Sequence, residues 1–359
     1  MNTLVLESWR RRRSRRSVLV HLGLAAALLA VALAAAGHGA VSISPSQVLA
    51  ILTGLEQGAG RFPPVEATVL LEIRLPRVVL GVLVGSALAV AGAALQGLFR
   101  NPLADPGLIG VSTGAALAAG VAIVFGGGLA ALLPAALQGA LLPVAAFGGG
   151  LVATAVVYFL AHRDGRADVS TLLLAGVALN AIAGAAMGLL VFVSDDQQLR
   201  DLNFWLLGSL GGVTWERLVP ALPFLLAPMV LMPMLARPLD ALLLGETEAA
   251  HLGFRVESAK RLTVVLAALG VGGAVALTGV IGFVGLVVPH LVRLVLGPGH
   301  RLLLPAAALL GASLLLLADL LARTVVLPAE LPIGIVTSCV GGPFFLWLLV
   351  RRGRQGGMP

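Results

Sequence analysis

The chain has 359 residues, 58% of them hydrophobic and 11% charged, with a mean hydropathy of +1.01. An ordinary soluble domain is about one quarter charged, so this composition excludes one and specifies a polytopic membrane protein. A net charge of +7 would suggest nucleic acid in a soluble protein. Here the basic residues segregate by loop instead, 18 of the 24 falling on one side of the expected topology and six on the other, which makes lipid the partner and the first side cytoplasmic.

Arg10 to Arg13, Arg15 and Arg16 precede an apolar run from Val18 to Ala36. It resembles a signal peptide, but no soluble domain follows and no cleavage site is convincing, so it reads as a first span with residues 1–17 as a basic cytoplasmic tail. Residues 38–73 are expected outside. Within them SPSQVLAILTGL (Ser44 to Leu55) reads as a short helix with a serine cap, and Gly58 to Pro64 as loop. Span two runs from about Val78 to Phe99. Two prolines and three glycines in Asn101 to Gly114 then break the helix, a candidate pathway element because irregular backbone at membrane depth must be enclosed by protein or water. Span three ends near Phe125, span four covers Leu142 to Leu160, HRDGRAD (His162 to Asp168) returns to the cytoplasm, and span five is Leu172 to Val193. Ser194 to Asp201 is expected outside, with Trp205 as an interfacial anchor. Span six covers Leu218 to Leu235.

Arg237 to Arg261 concentrates Asp240, Glu246, Glu248, His251, Arg255, Glu257, Lys260 and Arg261 in an otherwise apolar chain. Gly245 and Gly253 bracket a predicted helix over 246–252 with acids in its first turn and His251 in its last, a favourable dipole arrangement. Spans seven and eight occupy Leu262 to Leu296 with a turn near Gly282 to Gly285. Span nine is Leu302 to Leu321. Span ten is Ile333 to Val350, closing a transmembrane domain over 18–350 with a cytoplasmic tail at 351–359. The expected fold is all-α, with ten spans, both termini cytoplasmic, and a possible inverted repeat of spans two to five on spans seven to ten.

Embedded ionisable groups are few. Asp319 stands four residues before Arg323, which suggests a local ion pair rather than a proton relay. Asn180 suggests an interhelical hydrogen bond, His290 a structural role, and the lone Cys339 packing. The only lysine, Lys260, follows Ala259, so no Walker phosphate loop is present. With neither a nucleotide site nor embedded carboxylates, the charged loop is where an external ATPase would act.

The stretches RLPR (Arg74 to Arg77), GAALQGLFRNPLADPGLIGVSTGAALAA (Gly92 to Ala119), LLLAGVALNA (Leu172 to Ala181), GVIGFVGLVVPHLVR (Gly279 to Arg293) and LPAELPIGIVTSCVGGPFFLWLL (Leu327 to Leu349) resemble the permease subunits of type II ABC importers, the iron-siderophore, haem and cobalamin permease family. The resemblance covers about 74–350. It implies a transport subunit rather than an enzyme, working in the bacterial inner membrane as a homodimer with two cytoplasmic ATPase subunits and a periplasmic binding protein. No cofactor is expected in this chain, and ATP and magnesium belong to the ATPase. Carried over residue by residue, it assigns ATPase coupling to Asp240, Glu246, Glu248, His251, Arg255 and Glu257. Binding-protein docking falls to Arg74, Arg77 and Arg323, and a gate to Asn101, Leu103, Ser170 and Thr171. The segment 195–212 looks most like haem permeases, with ferric siderophore or cobalamin as alternatives. Arg200 at the external mouth would there meet a haem propionate, or else pair with Asp196 or Asp201. The rival classes are an ion-coupled secondary transporter and an intramembrane hydrolase.

Overall fold

A computed structural model describes residues 3–39, 41–54, 64–163, 165–326 and 329–355. The chain opens with the long helix α1 (Thr3–Gly37) and the short α2 (Pro45–Thr53), where Ser44 accepts from the Gln47 N–H and the Gln47 side chain returns the bond. This is the capping box that the Ser-x-x-Gln spacing encodes. Helix α3 (Pro64–Thr68) passes through a π-helical turn, Val69–Arg74, into α4 (Leu75–Leu98). A 3₁₀ turn at Pro106–Ile109 leads to α5 (Val111–Leu132), followed by α6 (Ala135–Gln138) and α7 (Leu141–Ala161). A two-stranded hairpin, β1 (His162–Arg163) with β2 (Arg166–Ala167), connects α7 to α8 (Val169–Val193). Then come α9 (Asp196–Leu207), α10 (Trp215–Leu231), a 3₁₀ turn at Met232–Leu235, α11 (Ala236–Leu242) and α12 (Glu246–His251). The chain closes with α13 (Val256–Thr278), α14 (Val284–Leu296), α15 (His300–Ala322) and α16 (Ile333–Gln355).

Eight helical runs among the described residues are long and apolar enough to cross a membrane, and Val284–Leu296 and Ile333–Leu348 are shorter apolar helices. The sequence had suggested ten full spans. Helices α4 and α13 are the axis of the bundle, with 89% and 72% of their apolar windows enclosed by protein. They touch each other, and α4 packs on α14 and α15 as α13 packs on α5 and α7. Helices α5 and α7 pack on each other and on α8, just as α14 and α15 pack on each other and on α16. Exchanging α4, α5, α7 and α8 for α13, α14, α15 and α16 therefore reproduces the neighbour pattern, as an inverted repeat requires. Both halves also break at the same place, before α5 and before α14.

Close backbone approach holds the bundle together. A Cβ on Gly92 of α4 would lie 1.8 Å from the Gly285 carbonyl oxygen of α14, and one on Gly85 would lie 2.4 Å from that of Gly311 in α15. Only glycine permits these separations, and in lipid such packing replaces the hydrophobic effect as the cohesive force.

Several boundaries differ from the sequence reading. Residues 64–73, expected outside, continue the helix that becomes α4, because Val69, Leu70, Leu71 and Ile73 are apolar around Glu72 and Leu70 is fully buried with Ile43 and Val48. The break between α13 and α14 falls at 279–283, ahead of the expected turn, with Phe283 in the left-handed region. Ser194 to Asp201 is helical from Asp196 on, capped by Asp195 with Gln198. Most of 237–261 is helix. Much of the segment Gly58 to Pro64 lies outside the described residues.

Candidate functional site

The charged stretch forms a compact corner. Gly245 and Gly253 adopt φ of +133° and +86°, values that penalise any side chain, and they let the chain turn sharply on either side of α12. The predicted helix over 246–252 is thus present within one residue at its end. Its outward face carries Thr247, Glu248, Ala250 and His251, with Leu244 and Leu252 projecting apolar side chains, 68% and 60% exposed, on either side. Sequence reasoning counted the charges and missed these two leucines, which read as ordinary membrane residues until the fold placed them outside.

The six predicted coupling residues divide into two groups. Glu248, His251 and Arg255 are exposed. Asp240, Glu246 and Glu257 turn inward. Asp240 Oδ1 accepts from the His300 backbone N–H at 2.8 Å and lies 2.7 Å from His300 Nδ1, tying α11 to the first residue of α15. Glu246 and Glu257 both contact the buried Lys260 ammonium. Its signal in the sequence was its being the only lysine.

At the other end of the bundle the three predicted docking arginines are drawn into the chain itself. Arg74, 5% exposed, donates through Nη1 to the carbonyls of Ala36 and Gly37, both at 2.8 Å, and through Nη2 to that of Val41. Arg323, 7% exposed, donates to the carbonyls of Ala35 (2.5 Å) and His38 (3.0 Å). Both guanidinium groups thus satisfy the orphan carbonyls at the end of α1. Arg77 pairs with Asp319 at 2.8 Å and with Glu330 at 2.9 Å. The expected Asp319–Arg323 pair is present at 3.4 Å, but the closer partner of Asp319 is Arg77, 242 residues away. The hydrogen bond from Arg77 holds the Glu330 carboxyl below the usual carboxylate range.

The gate residues sit on two breaks. Asn101 Oδ1 accepts from the Leu103 N–H at 2.9 Å, rigidifying the turn after α4 and leaving Leu103 partly exposed. Asp168 caps α8, accepting from the Thr171 N–H at 2.7 Å and its hydroxyl at 2.6 Å, and these bonds lower the Asp168 pKa. Ser170 beside them is exposed. Asn180 makes the expected interhelical bond: Thr113 on α5 donates to its Oδ1 at 2.6 Å, while its Nδ2 donates to the Gly107 carbonyl. His290 is buried with its ring edge-on to Phe344. Arg200 is exposed on α9 and donates to Gln197 at 3.0 Å, rather than to Asp196 or Asp201. A cavity of about 530 Å³ beside α9 is lined by Asp201, Trp205 and Arg217, without Arg200.

A two-fold helical bundle with one charged, glycine-hinged helix at its surface defines a multi-pass membrane permease. Residues 27–351 match the FecCD transport family, and the chain belongs to it. It is 53% identical over 285 residues to the hemin transport system permease protein HmuU of Yersinia pestis, covering 79% of this chain and 84% of that protein. Identity is 43% over 308 residues to the cobalamin import system permease protein BtuC of Halobacterium salinarum, covering 86% and 79%. A solved structure described as an inward-facing metal-chelate type ABC transporter superposes with a TM-score of 0.79 at 32% identity, covering 92% of this chain and 99% of that one. The protein is accordingly an ABC importer permease, a transport subunit rather than an enzyme, and its family implies ATPase and binding-protein partners.

Proposed function

We propose that this permease carries haem from a periplasmic binding protein to the cytoplasm, as a homodimer in the bacterial inner membrane with both termini cytoplasmic. The observation that carries the substrate is the 53% identity to a hemin permease, against 43% to the cobalamin permease. The asymmetry of basic residues supports the orientation, since it puts the amino-terminal arginines and α12 on the same, cytoplasmic side. Val284–Leu296, much of it buried, and Ile333–Leu348 then serve as the eighth and tenth spans, both short.

In this reading α12 is the ATPase contact. Leu244 and Leu252 seat in an apolar cleft, while Glu248, His251 and Arg255 set register at the rim. Binding-protein docking falls on the opposite end. Because Arg74 and Arg323 are committed to the α1 carbonyls, Arg77 is the docking arginine, exchanging its outer partner Glu330 for a carboxylate of the binding protein. Asn101, Leu103, Ser170 and Thr171 flank the cytoplasmic exit. Arg200, whose hydrogen-bond partner among the described residues is the neutral Gln197, receives a haem propionate, for which a guanidinium offers two parallel hydrogen bonds. No cofactor is assigned to this chain, and ATP and magnesium are used by the ATPase.

The test is reconstitution in liposomes with the ATPase and binding protein, supplying haem, a ferric siderophore and cobalamin in turn. ATP-dependent uptake of haem alone is the expected result; uptake of cobalamin or siderophore instead overturns the substrate assignment. Arg200→Gln is expected to slow haem entry several-fold while binding-protein affinity stays unchanged, and a wild-type rate would make Arg200 a surface charge only.

A further inference from the structure

Lys260 is the chain's single lysine, and its side chain is 3% exposed. A buried ammonium is tolerated only when its donors are matched. Here Nζ donates to Glu246 Oε2 at 2.5 Å, to Glu257 Oε1 at 3.0 Å and to the Ala167 carbonyl at 2.7 Å, so all three protons are used. The second oxygen of Glu257 accepts from the Ala167 N–H at 2.9 Å. Ala167 is therefore gripped at both backbone groups, and it immediately precedes Asp168, the cap of α8.

The three partners come from three separate pieces: Glu246 from α12, Glu257 from the first turn of α13, and Ala167 from β2. Helix α12 packs on α11 and α13, and its connection to the α7–α8 hairpin runs through this ammonium. We propose that Lys260 is the positioning residue through which displacement of α12 is delivered to the start of α8. The proposal rests on the reading of α12 as the ATPase contact. Physically, Lys260 makes the corner a rigid body: α12 cannot tilt without either dragging Ala167 with it or leaving an ammonium in a dry site without its full set of acceptors. Dragging costs less, because the tip of the hairpin is exposed at Gly165 and Arg166. The residues that follow Ala167 are the α8 cap and the exposed Ser170, so the motion arrives where the chain leaves the coupling corner for the bundle.

Removing Lys260 alone would leave Glu246 and Glu257 unpaired against each other, so the informative variant neutralises all three, Lys260→Met with Glu246→Gln and Glu257→Gln; replacing a buried ion cluster by neutral groups of similar volume commonly preserves folding. The reporter is Ser170→Cys in a Cys339→Ser background, labelled with a water-soluble maleimide in the assembled permease–ATPase complex, with and without a non-hydrolysable ATP analogue. In the parent the labelling rate is expected to change several-fold with nucleotide. In the neutral variant the change is expected to vanish while ATPase affinity stays the same, and Lys260→Arg is expected to keep part of it. A nucleotide response that persists in the neutral variant overturns the proposal, as does a parent that binds ATPase but shows no response. Loss of ATPase affinity in the neutral variant overturns it too, making the cluster a docking contact. Failure of the parent to bind ATPase at all would instead overturn the reading of α12.

Discussion

At the residue scale the informative feature is where each charge is spent. Arg74 and Arg323 were legible as basic residues near one end of the bundle, but not as the cap of α1, because their acceptors lie 33 or more residues away and depend on how α1 docks. Asp319–Arg323, four apart on one helix, was legible; Arg77–Asp319 was not, since no local period relates α4 to α15. Arg74→Gln is expected to destabilise the protein by about 2 kcal/mol, the typical worth of a hydrogen bond made by a charged group, read as a lower Tm in detergent. If Tm is unchanged, the α1 carbonyls find other donors. Glu330 yields a pH prediction. Its folded-state pKa is depressed by Arg77, so its contribution is present above its ordinary value and is lost as pH falls through the folded value. Wild-type Tm is therefore expected to fall below about pH 4.5 more steeply than that of Glu330→Gln, and parallel profiles would show that the exposed pair contributes nothing.

At the scale of elements, α2 and α12 were readable because their boundary signals are local: Ser44 with Gln47 at the start of one, Gly245 and Gly253 around the other. The helical start at Pro64 was not, since its apolar residues are interrupted by Glu66, Glu72 and Arg74, and only the packing of Leu70 shows that the run is continuous. Ala250→Pro tests α12. Proline costs about 3 kcal/mol inside a helix, more than a six-residue helix can recover locally, so the exposed face should lose its geometry while the bundle stays folded. Substrate-stimulated ATP turnover is expected to fall to the unstimulated rate; full stimulation would remove α12 from the coupling path. The glycine contacts call for a different outcome. Gly92→Leu would press a side chain into the Gly285 backbone, and the expected result is aggregation on size-exclusion chromatography, not a coupling defect.

For the molecule as a whole, the two least enclosed long helices are α1, with 6% of its apolar window covered, and α8, and of these α8 carries the small-residue face. Only 17% of the apolar window of α8 is enclosed, against 89% for α4, although α8 is among the richest in small residues. Gly184 and Gly188 stand four apart on its exposed face, and a Cβ at either would meet nothing within 4 Å. A lipid-facing helix gains nothing from such glycines, whereas a helix that meets its own copy across a two-fold axis gains close backbone approach. Exposed Leu189 and Phe192 continue the same surface toward the α9 end of the helix. The homodimer proposed for this permease is therefore expected to close through α8. Replacing both glycines, Gly184→Leu with Gly188→Leu, should shift the purified protein from dimer to monomer by mass photometry while its Tm changes little, since neither position touches the protomer's own core. As a positive counterpart, Gly188→Cys in the Cys339→Ser background should cross-link on oxidation, and Val265→Cys on the partly exposed face of α13 should not. A dimer that survives the double leucine substitution, or cross-links at Val265→Cys as readily as at Gly188→Cys, places the two-fold contact on another face of the bundle.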